Sequence, residues 1–186
     1  MTGITFEYFL NAVHYCMWRR KIKQHSFAQN IIHPILSRIV KCITTKEYQE
    51  NFFSRQAIEL NKYNKWRVNS QNSIHIAEAN HWFGYTYSCY TGIFGYMLFA
   101  LGLHFNLDFN VWNILLLIFP IAIGYIPAYK AVFSKDRYLG YFKQFEKEDE
   151  QWHKKWNRIT TVFCIGAIIL FFAGPFSMLG LLILLD

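Results

Sequence analysis

Apolar and polar positions divide the chain into a mixed first part and a largely apolar second part. In residues 1–83, apolar side chains recur at helical spacing among charged ones, first along a stripe of Phe6, Phe9, Leu10, Val13 and Met17. A second stripe runs from Ile31 to Ile43, and Tyr48–Lys65 reads as a third helix. Because no segment alternates with a period of two, the pattern predicts an all-α fold that begins with cytosolic or interfacial amphipathic helices.

Two uncharged stretches follow, Gly84–Leu103 and Val111–Tyr129, each close to the ~20 residues that a membrane-spanning helix needs. The short loop 104–110 joins them, so residues 84–129 are predicted to form a transmembrane helical hairpin. Small residues recur in the first stretch at multiples of four and predict a close helix-packing stripe, either within the chain or between subunits: Gly84, Ser88, Gly92 and Ala100.

The remaining chain is polar over residues 130–158 and apolar over residues 159–186. Aromatic side chains at helical steps predict one charged cytosolic helix for the polar part. The apolar part, as one helix, would be about 40 Å long against a hydrocarbon core of ~30 Å. Gly174-Pro175 therefore predicts a break, and a third, kinked C-terminal span is favoured over a re-entrant hairpin.

The charge distribution supports this division. Residues 1–83 carry eleven Lys/Arg against five Glu, and residues 130–158 carry eight Lys/Arg against five acids, whereas the loop 104–110 carries only Asp108. This asymmetry follows the positive-inside rule and predicts a bacterial inner (plasma) membrane protein with a cytosolic N-terminus. Membrane lipid, rather than DNA, is the predicted partner of the basic excess.

The stretch from Trp18 to His25 has two interpretations. As a membrane anchor, it is an aromatic and basic cap on an apolar helix face, formed by Trp18, Arg19, Arg20, Lys21 and Lys23. Whether Met1–Trp18 spans the membrane or lies on it stays open, because Glu7, Asn11 and His14 make a span costly. As a catalytic motif, Arg20 and His25 have the R-x4-H spacing of HEPN-type ribonucleases, in which the two side chains handle a proton and a phosphate.

No other motif indicates an enzyme. The four cysteines form no C-x-x-C pair, the histidines lack the spacing of a helical metal site, and no phosphate-binding loop is present, so neither a metal nor a cofactor is predicted. Three spans cannot line a pore by themselves, whereas a ring of identical subunits can. The candidate pore-lining residues in such a ring are Asn80, His81, Tyr87 and Asn113.

In its size, its helical character, its membrane segments and its divergent Arg20–His25 motif, the chain resembles the small accessory membrane protein of type VI-B CRISPR systems. That resemblance implies a homo-oligomeric ring that depolarises the inner membrane in antiviral defence, together with an RNA-guided ribonuclease system as its functional partner. It also implies a degenerate, non-catalytic HEPN-like motif, in agreement with Lys21 after the arginine.

The chain is also similar to SLATT-type two-span effectors, in which a basic helix leads into a hairpin and a charged helix follows. The corresponding segments occur here in the same order: Asn69–Trp82, Gly84–Tyr129 and Lys130–Arg158. The long C-terminal apolar segment departs from that pattern. Both resemblances imply a membrane-permeabilising oligomer. The alternatives are a membrane-tethered HEPN-type ribonuclease that uses Arg20 and His25, and a non-catalytic scaffold in a membrane complex.

Overall fold

The computed structural model describes residues 5–27, 31, 33–67, 74–105 and 111–185. Of these residues 94% are helical and none lies in a strand, which confirms the predicted all-α fold. The polar run 69–73 and most of the loop 104–110 lie outside the described residues. The helices are α1 (Phe6–Phe27), α2 (His33–Ile43), α3 (Lys46–Arg67), α4 (Ile74–His104), α5 (Val111–Val132), α6 (Arg137–Phe145) and α7 (Glu150–Leu185).

The chain divides into two compact units. Unit 1 consists of Met1–Met17 and His81–Asp186, and unit 2 consists of Trp18–Asn80. Helices α1 and α4 each run from one unit into the other. The membrane hairpin and the C-terminal span predicted from the sequence therefore both belong to unit 1, whereas the basic stretch Trp18–His25 belongs to unit 2.

The first half of α1 is the centre of unit 1. Eight consecutive residues, 10–17, are at most 6% exposed, so the helix is covered all round. This corrects the prediction of an amphipathic helix with one apolar face, since the apolar Phe6 is 53% exposed and the polar Asn11 and His14 are completely buried. Burial of the two polar residues is possible because other helices of unit 1 supply hydrogen bonds and aromatic rings around them.

Helix α4 contacts both α5 and α7, and glycine makes the contact with α5 close. A Cβ atom on Gly95 would lie 2.3 Å from the carbonyl oxygen of Leu117, so only a residue without a side chain allows the two backbones to approach in this way. On the other side, the Tyr90 hydroxyl donates to the carbonyl of Phe163 at 2.7 Å. Helices α4, α5 and α7 thus form a closely packed group.

The polar segment 130–158 is not the single helix that its aromatic spacing predicts. A 3₁₀ turn at Ser134–Asp136 contains two residues in the left-handed region, Lys135 and Asp136, and it separates α5 from α6. A second turn at residues 146–149 ends α6. Asp149 then caps α7, because its Oδ1 accepts a hydrogen bond from the Trp152 backbone at 2.6 Å.

Helix α7 continues without interruption from Glu150 to Leu185, a length of 36 residues, with Pro175 inside it. The polar start of this helix and the apolar segment 159–185 are therefore one element, and the boundary predicted at residue 159 lies inside a helix. A re-entrant hairpin at Gly174-Pro175 is ruled out, because the chain keeps its helical path through the proline to its last described residue.

Candidate functional site

The candidate site is an apolar belt on the outside of unit 1. Ten large apolar side chains of α7 are each more than half exposed, and they amount to on the order of 1,000 Å², whereas soluble monomers rarely exceed a few hundred Å² of continuous apolar surface. The belt comprises Phe94, Met97 and Leu98 of α4, Ile114, Leu115, Ile118, Phe119, Ile123 and Ile126 of α5, and Val162, Ile165, Ile168, Ile169, Phe171, Phe172, Phe176, Leu179, Ile183 and Leu184 of α7.

Two helical stretches among the described residues are long and apolar enough to cross a membrane. They are Ile114–Phe145 and Glu150–Leu185, whose most apolar 18-residue parts have mean hydropathies of 1.8 and 2.5. Only 11% and 6% of their most apolar parts are buried, so neither is the covered core helix of a soluble domain. The charges of the first stretch begin at Lys130, so its apolar part is α5.

Helix α4 does not reach the same apolarity, although Gly84–Leu103 is uncharged. Four tyrosines and four glycines lower its mean hydropathy. Several of these residues are used for packing, because Tyr90 lies against Phe163 at 4.7 Å between ring centroids and the missing Cβ of Gly174 leaves room for Tyr96. The composition of α4 therefore reflects its contacts with two helices.

An aromatic core joins α1, α6 and the start of α7 at one end of the belt. Phe145 is completely buried, and its ring centroid lies 4.8 Å from that of Trp152 and 5.2 Å from that of Tyr8. The indole nitrogen of Trp152 also donates to the Tyr8 hydroxyl at 3.0 Å. This cluster holds the polar segments of unit 1 together at the end where α5 finishes and α7 begins.

His14 is enclosed by four aromatic rings. Their centroids lie 5.2–5.5 Å from the imidazole centroid, and they belong to Phe83, Phe133, Tyr138 and Phe142. With a side chain that is 0% exposed, His14 is a packing residue that draws α4, α6 and the end of α5 around α1.

Asn11 connects α1 to the C-terminal end of α5. Its Nδ2 donates to the carbonyl of Ala131 at 3.0 Å and to the carbonyl of Glu7 at 2.9 Å. Ala131 lies in the last turn of α5, where carbonyl groups lose their helical partners. The buried amide of Asn11 therefore completes the end of another helix.

Replacing Asn11 by alanine is expected to lower the free energy of unfolding by about 1–2 kcal/mol, because the carbonyl of Ala131 then loses its donor. Thermal unfolding of the detergent-solubilised protein measures this loss. Gln144→Ala, which removes an exposed amide from α6, is the control and should leave the transition unchanged. Equal transitions for both variants would show that the buried amide contributes nothing.

Near the surface, Glu7 receives two contacts from α6. Its carboxylate pairs with Arg137 at 3.2 Å and accepts a hydrogen bond from the Tyr141 hydroxyl at 3.2 Å. Burial raises the pKa of Tyr141 above its usual value, and the neighbouring Glu7 carboxylate raises it further. The phenol therefore stays protonated and donates a hydrogen bond to the Glu7 carboxylate, which fastens the first turn of α1 to α6.

The residues of the HEPN-like motif do not converge on one face. Arg20 and His25 are five positions apart on the continuous helix α1, so their side chains leave the axis about 140° apart. The ring of His25 lies 5.3 Å from that of His75 within unit 2. This geometry describes packing between α1 and α4, and nothing in it favours phosphodiester cleavage.

The predicted anchor and pore-lining residues occupy different environments. The anchor residues Trp18, Arg19, Arg20 and Lys21 are half-buried, and Lys23 is exposed.

Of the candidate pore-lining residues, His81 is exposed and stacks on Tyr85, and Asn80 is half-buried. Tyr87 packs against Phe83 and Tyr125. The side chain of Asn113 lies outside the described residues. Tyr87 is thus a contact between α4 and α5.

The small-residue stripe of α4 faces its own chain at two positions. The Cβ missing from Gly84 would lie 3.3 Å from the Tyr125 hydroxyl, and that missing from Gly92 would lie 3.8 Å from Ile121. Ala100 is completely buried and Ser88 is half-buried. The sequence pattern missed Gly95, the glycine of α4 that comes closest to the backbone of α5, because Gly95 does not belong to the four-residue repeat.

Comparison with known proteins identifies no relative: no protein-family model, curated protein or solved structure matches the chain. Within the part of the chain that the structure describes, no group of three or more His, Cys, Asp or Glu side chains is arranged to hold a metal ion. The apolar belt is therefore what defines the class of the molecule. It is a helical protein with two helices that are long and apolar enough to cross a membrane.

Proposed function

We propose that the chain is an integral membrane protein with three spans, α4, α5 and α7, whose homo-oligomer permeabilises the membrane. The apolar belt is the observation that carries the membrane assignment. In water it would be a large unfavourable surface, whereas in a bilayer the same side chains contact lipid tails. The low burial of the two most apolar helices points in the same direction.

The inclusion of α4 as a third span rests on its contacts. It packs along α5 through Gly84, Gly92 and Gly95, and along α7 through Tyr90 and Tyr96. A helix held against two spans over this length shares their environment. The outward-facing residues Phe94, Met97 and Leu98 are apolar, as lipid contact requires.

A charge inside the belt provides a sharp test of insertion. Ile168 is 58% exposed on α7, and Ile168→Lys is expected to reduce membrane insertion by about 2.5–3.5 kcal/mol. Gln151→Lys adds the same charge to the exposed, polar start of the same helix and should insert normally. A C-terminal alkaline phosphatase fusion measures insertion of α7 in both variants, since α4 and α5 would hold either chain in the membrane pellet. If Ile168→Lys gives the same phosphatase activity as the control, the belt of α7 does not contact lipid.

The proposed location is the bacterial inner membrane with a cytosolic N-terminus. The end of unit 1 that contains α6 carries the Lys/Arg excess of residues 130–158, and exposed aromatic residues lie on α4 and α5 near this end: Trp82, Tyr85 and Tyr129. Three spans then place the C-terminus on the opposite side. A C-terminal alkaline phosphatase fusion should be active and a C-terminal fluorescent protein dark; the reverse result would contradict this topology.

The pore-forming activity and the role in antiviral defence, as an effector or as an accessory of an RNA-guided ribonuclease system, are supported by the resemblances to the CRISPR accessory and SLATT-type families. The structure adds that three helices present outward apolar faces that neighbouring subunits can cover. Lipid contact alone accounts for those faces equally well, so the oligomer needs its own experiment.

The experiment measures particle mass in mild detergent and dye release from vesicles. A pore requires an oligomer and a release that increases with the protein-to-lipid ratio. Gly180→Leu is a control, because Gly180 lies on the outside of α7 with open space around it. This variant should release dye like the parent protein. A strictly monomeric species that inserts but releases no dye would contradict the pore and leave a membrane scaffold.

A further inference from the structure

Helix α2 of unit 2 turns its apolar face outward. Ile35, Leu36, Ile39 and Ile43 are 43–78% exposed and form one stripe along the helix. The opposite side faces α3, where the Lys41 ammonium lies 5.5 Å from the centre of the Phe53 ring. The Gln49 amide of α3 donates to the carbonyls of Lys41 at 3.1 Å and of Thr44 at 2.8 Å, which holds the end of α2 in this orientation.

This orientation is opposite to that of an amphipathic helix in a soluble domain, which buries its apolar stripe and exposes its charges. Single exposed apolar residues are common, whereas a stripe of four on an 11-residue helix needs a cover. Because α3 contacts α2 on the side of Lys41 and Thr44, the apolar stripe on the other side is available to something outside unit 2.

The charge of unit 2 indicates what that cover is. Residues 18–80 contain eleven Lys/Arg and four Glu, a balance of +7, whereas the rest of the chain contains eight of each sign. The whole net charge of the protein therefore resides in unit 2. Arg38, exposed on α2, lies beside the apolar stripe. An apolar stripe with a basic surround matches an anionic bilayer surface.

We propose that α2 is an interfacial helix that inserts its stripe of Ile35, Leu36, Ile39 and Ile43 between the headgroups of an anionic lipid bilayer. The proposal rests on the membrane insertion of unit 1, because both units belong to one chain and α4 contains residues of each. Basic residues then add electrostatic attraction, each by about fivefold when it lies close to the surface.

The native Cys42 provides the probe. It is exposed at the end of α2, whereas Cys16 is buried. Full-length protein with Cys89→Ala and Cys164→Ala carries an environment-sensitive fluorophore on Cys42 and is reconstituted in vesicles of phosphatidylcholine, with or without phosphatidylglycerol. Quenching by spin-labelled lipid measures insertion of α2, and flotation of the same vesicles independently measures insertion of the spans.

We expect quenching with phosphatidylglycerol and an about tenfold loss of the inserted fraction of α2 in Ile39→Glu, because the stripe then carries a charge. Asn51→Glu adds the same charge at an exposed position of α3 and is the matched control, with a clearly smaller loss. Both variants should float with the vesicles like the parent.

Three results would overturn the proposal. Equal loss in both variants would mean that only general electrostatic attraction acts. Absence of quenching in a protein that floats normally would mean that α2 stays in water. Shielding of the fluorophore that depends on protein concentration and persists in neutral lipid would identify a second copy of the chain as the cover. A protein that does not float would refute membrane insertion itself, a separate result.

Discussion

Replacing Phe145 by alanine is expected to lower the free energy of unfolding by about 3–5 kcal/mol, the range for removal of a large aromatic side chain from a core. Phe145 is completely buried, and four rings surround it, those of Tyr8, Tyr15, Tyr141 and Trp152. Truncation leaves a cavity at the point where α1, α6 and α7 meet. Because the surrounding rings also pack against further aromatic side chains, as Tyr15 does against Phe142 and Trp152 against Trp156, they cannot fill the cavity by a small shift.

The measurement is unfolding of the detergent-solubilised protein, followed by tryptophan fluorescence, since Trp152 and Trp156 lie within the same cluster. Phe176→Ala is the matched control, because Phe176 is 73% exposed on α7. It should unfold like the parent protein. If the two variants lose equal stability, the aromatic cluster is not the core that stabilises this end of unit 1.

Replacing Gly95 by leucine is expected to cost about 3 kcal/mol or more by forcing α4 away from α5. The added Cβ would lie 2.3 Å from the Leu117 carbonyl oxygen, and backbone cannot rotate aside as a side chain can. The remaining leucine atoms enlarge the collision. The same replacement at Gly180, where no atom lies within 4 Å of the added Cβ, should cost nothing and even favour the helix.

Thermal stability in detergent and the rate of proteolysis in the loop between α4 and α5 measure the effect. A Gly95→Leu protein as stable as Gly180→Leu would mean that α4 and α5 do not approach each other closely in the folded protein. Since the proposed pore needs a packed group of spans, Gly95→Leu is also expected to abolish dye release, whereas Gly180→Leu should retain it.

The two most apolar helices, α5 and α7, illustrate what pattern alone can predict. A run of apolar residues without charge makes a helix the only way to satisfy backbone hydrogen bonds in lipid, so α5 and the apolar part of α7 follow directly from composition and length. Helix ends are harder to predict. Asp149 reads as an interruption of an aromatic stripe, yet it caps α7, because a capping residue acts through a local backbone bond that periodicity does not reveal.

Burial of the N-terminal helix is not predictable from its own residues. Asn11 and His14 look unsuited to an interior, and only the folded chain brings the carbonyl of Ala131 to the Asn11 amide and four aromatic rings to His14. The same holds for Arg20 and His25: their spacing suggests one site, and the helix directs them about 140° apart.

Residue type and short-range spacing are enough to predict that the chain is helical, that its second part contains uncharged helices of membrane-spanning length, and that its positive charge is concentrated before them. Three further properties emerge only when the helices are packed in three dimensions: residues 10–17 of α1 are covered all round, Gly95 brings α4 onto α5, and the apolar stripe of α2 faces outward. Each of these depends on which surfaces meet across long separations in the chain, and hydrophobic periodicity identifies an apolar face without identifying what covers it.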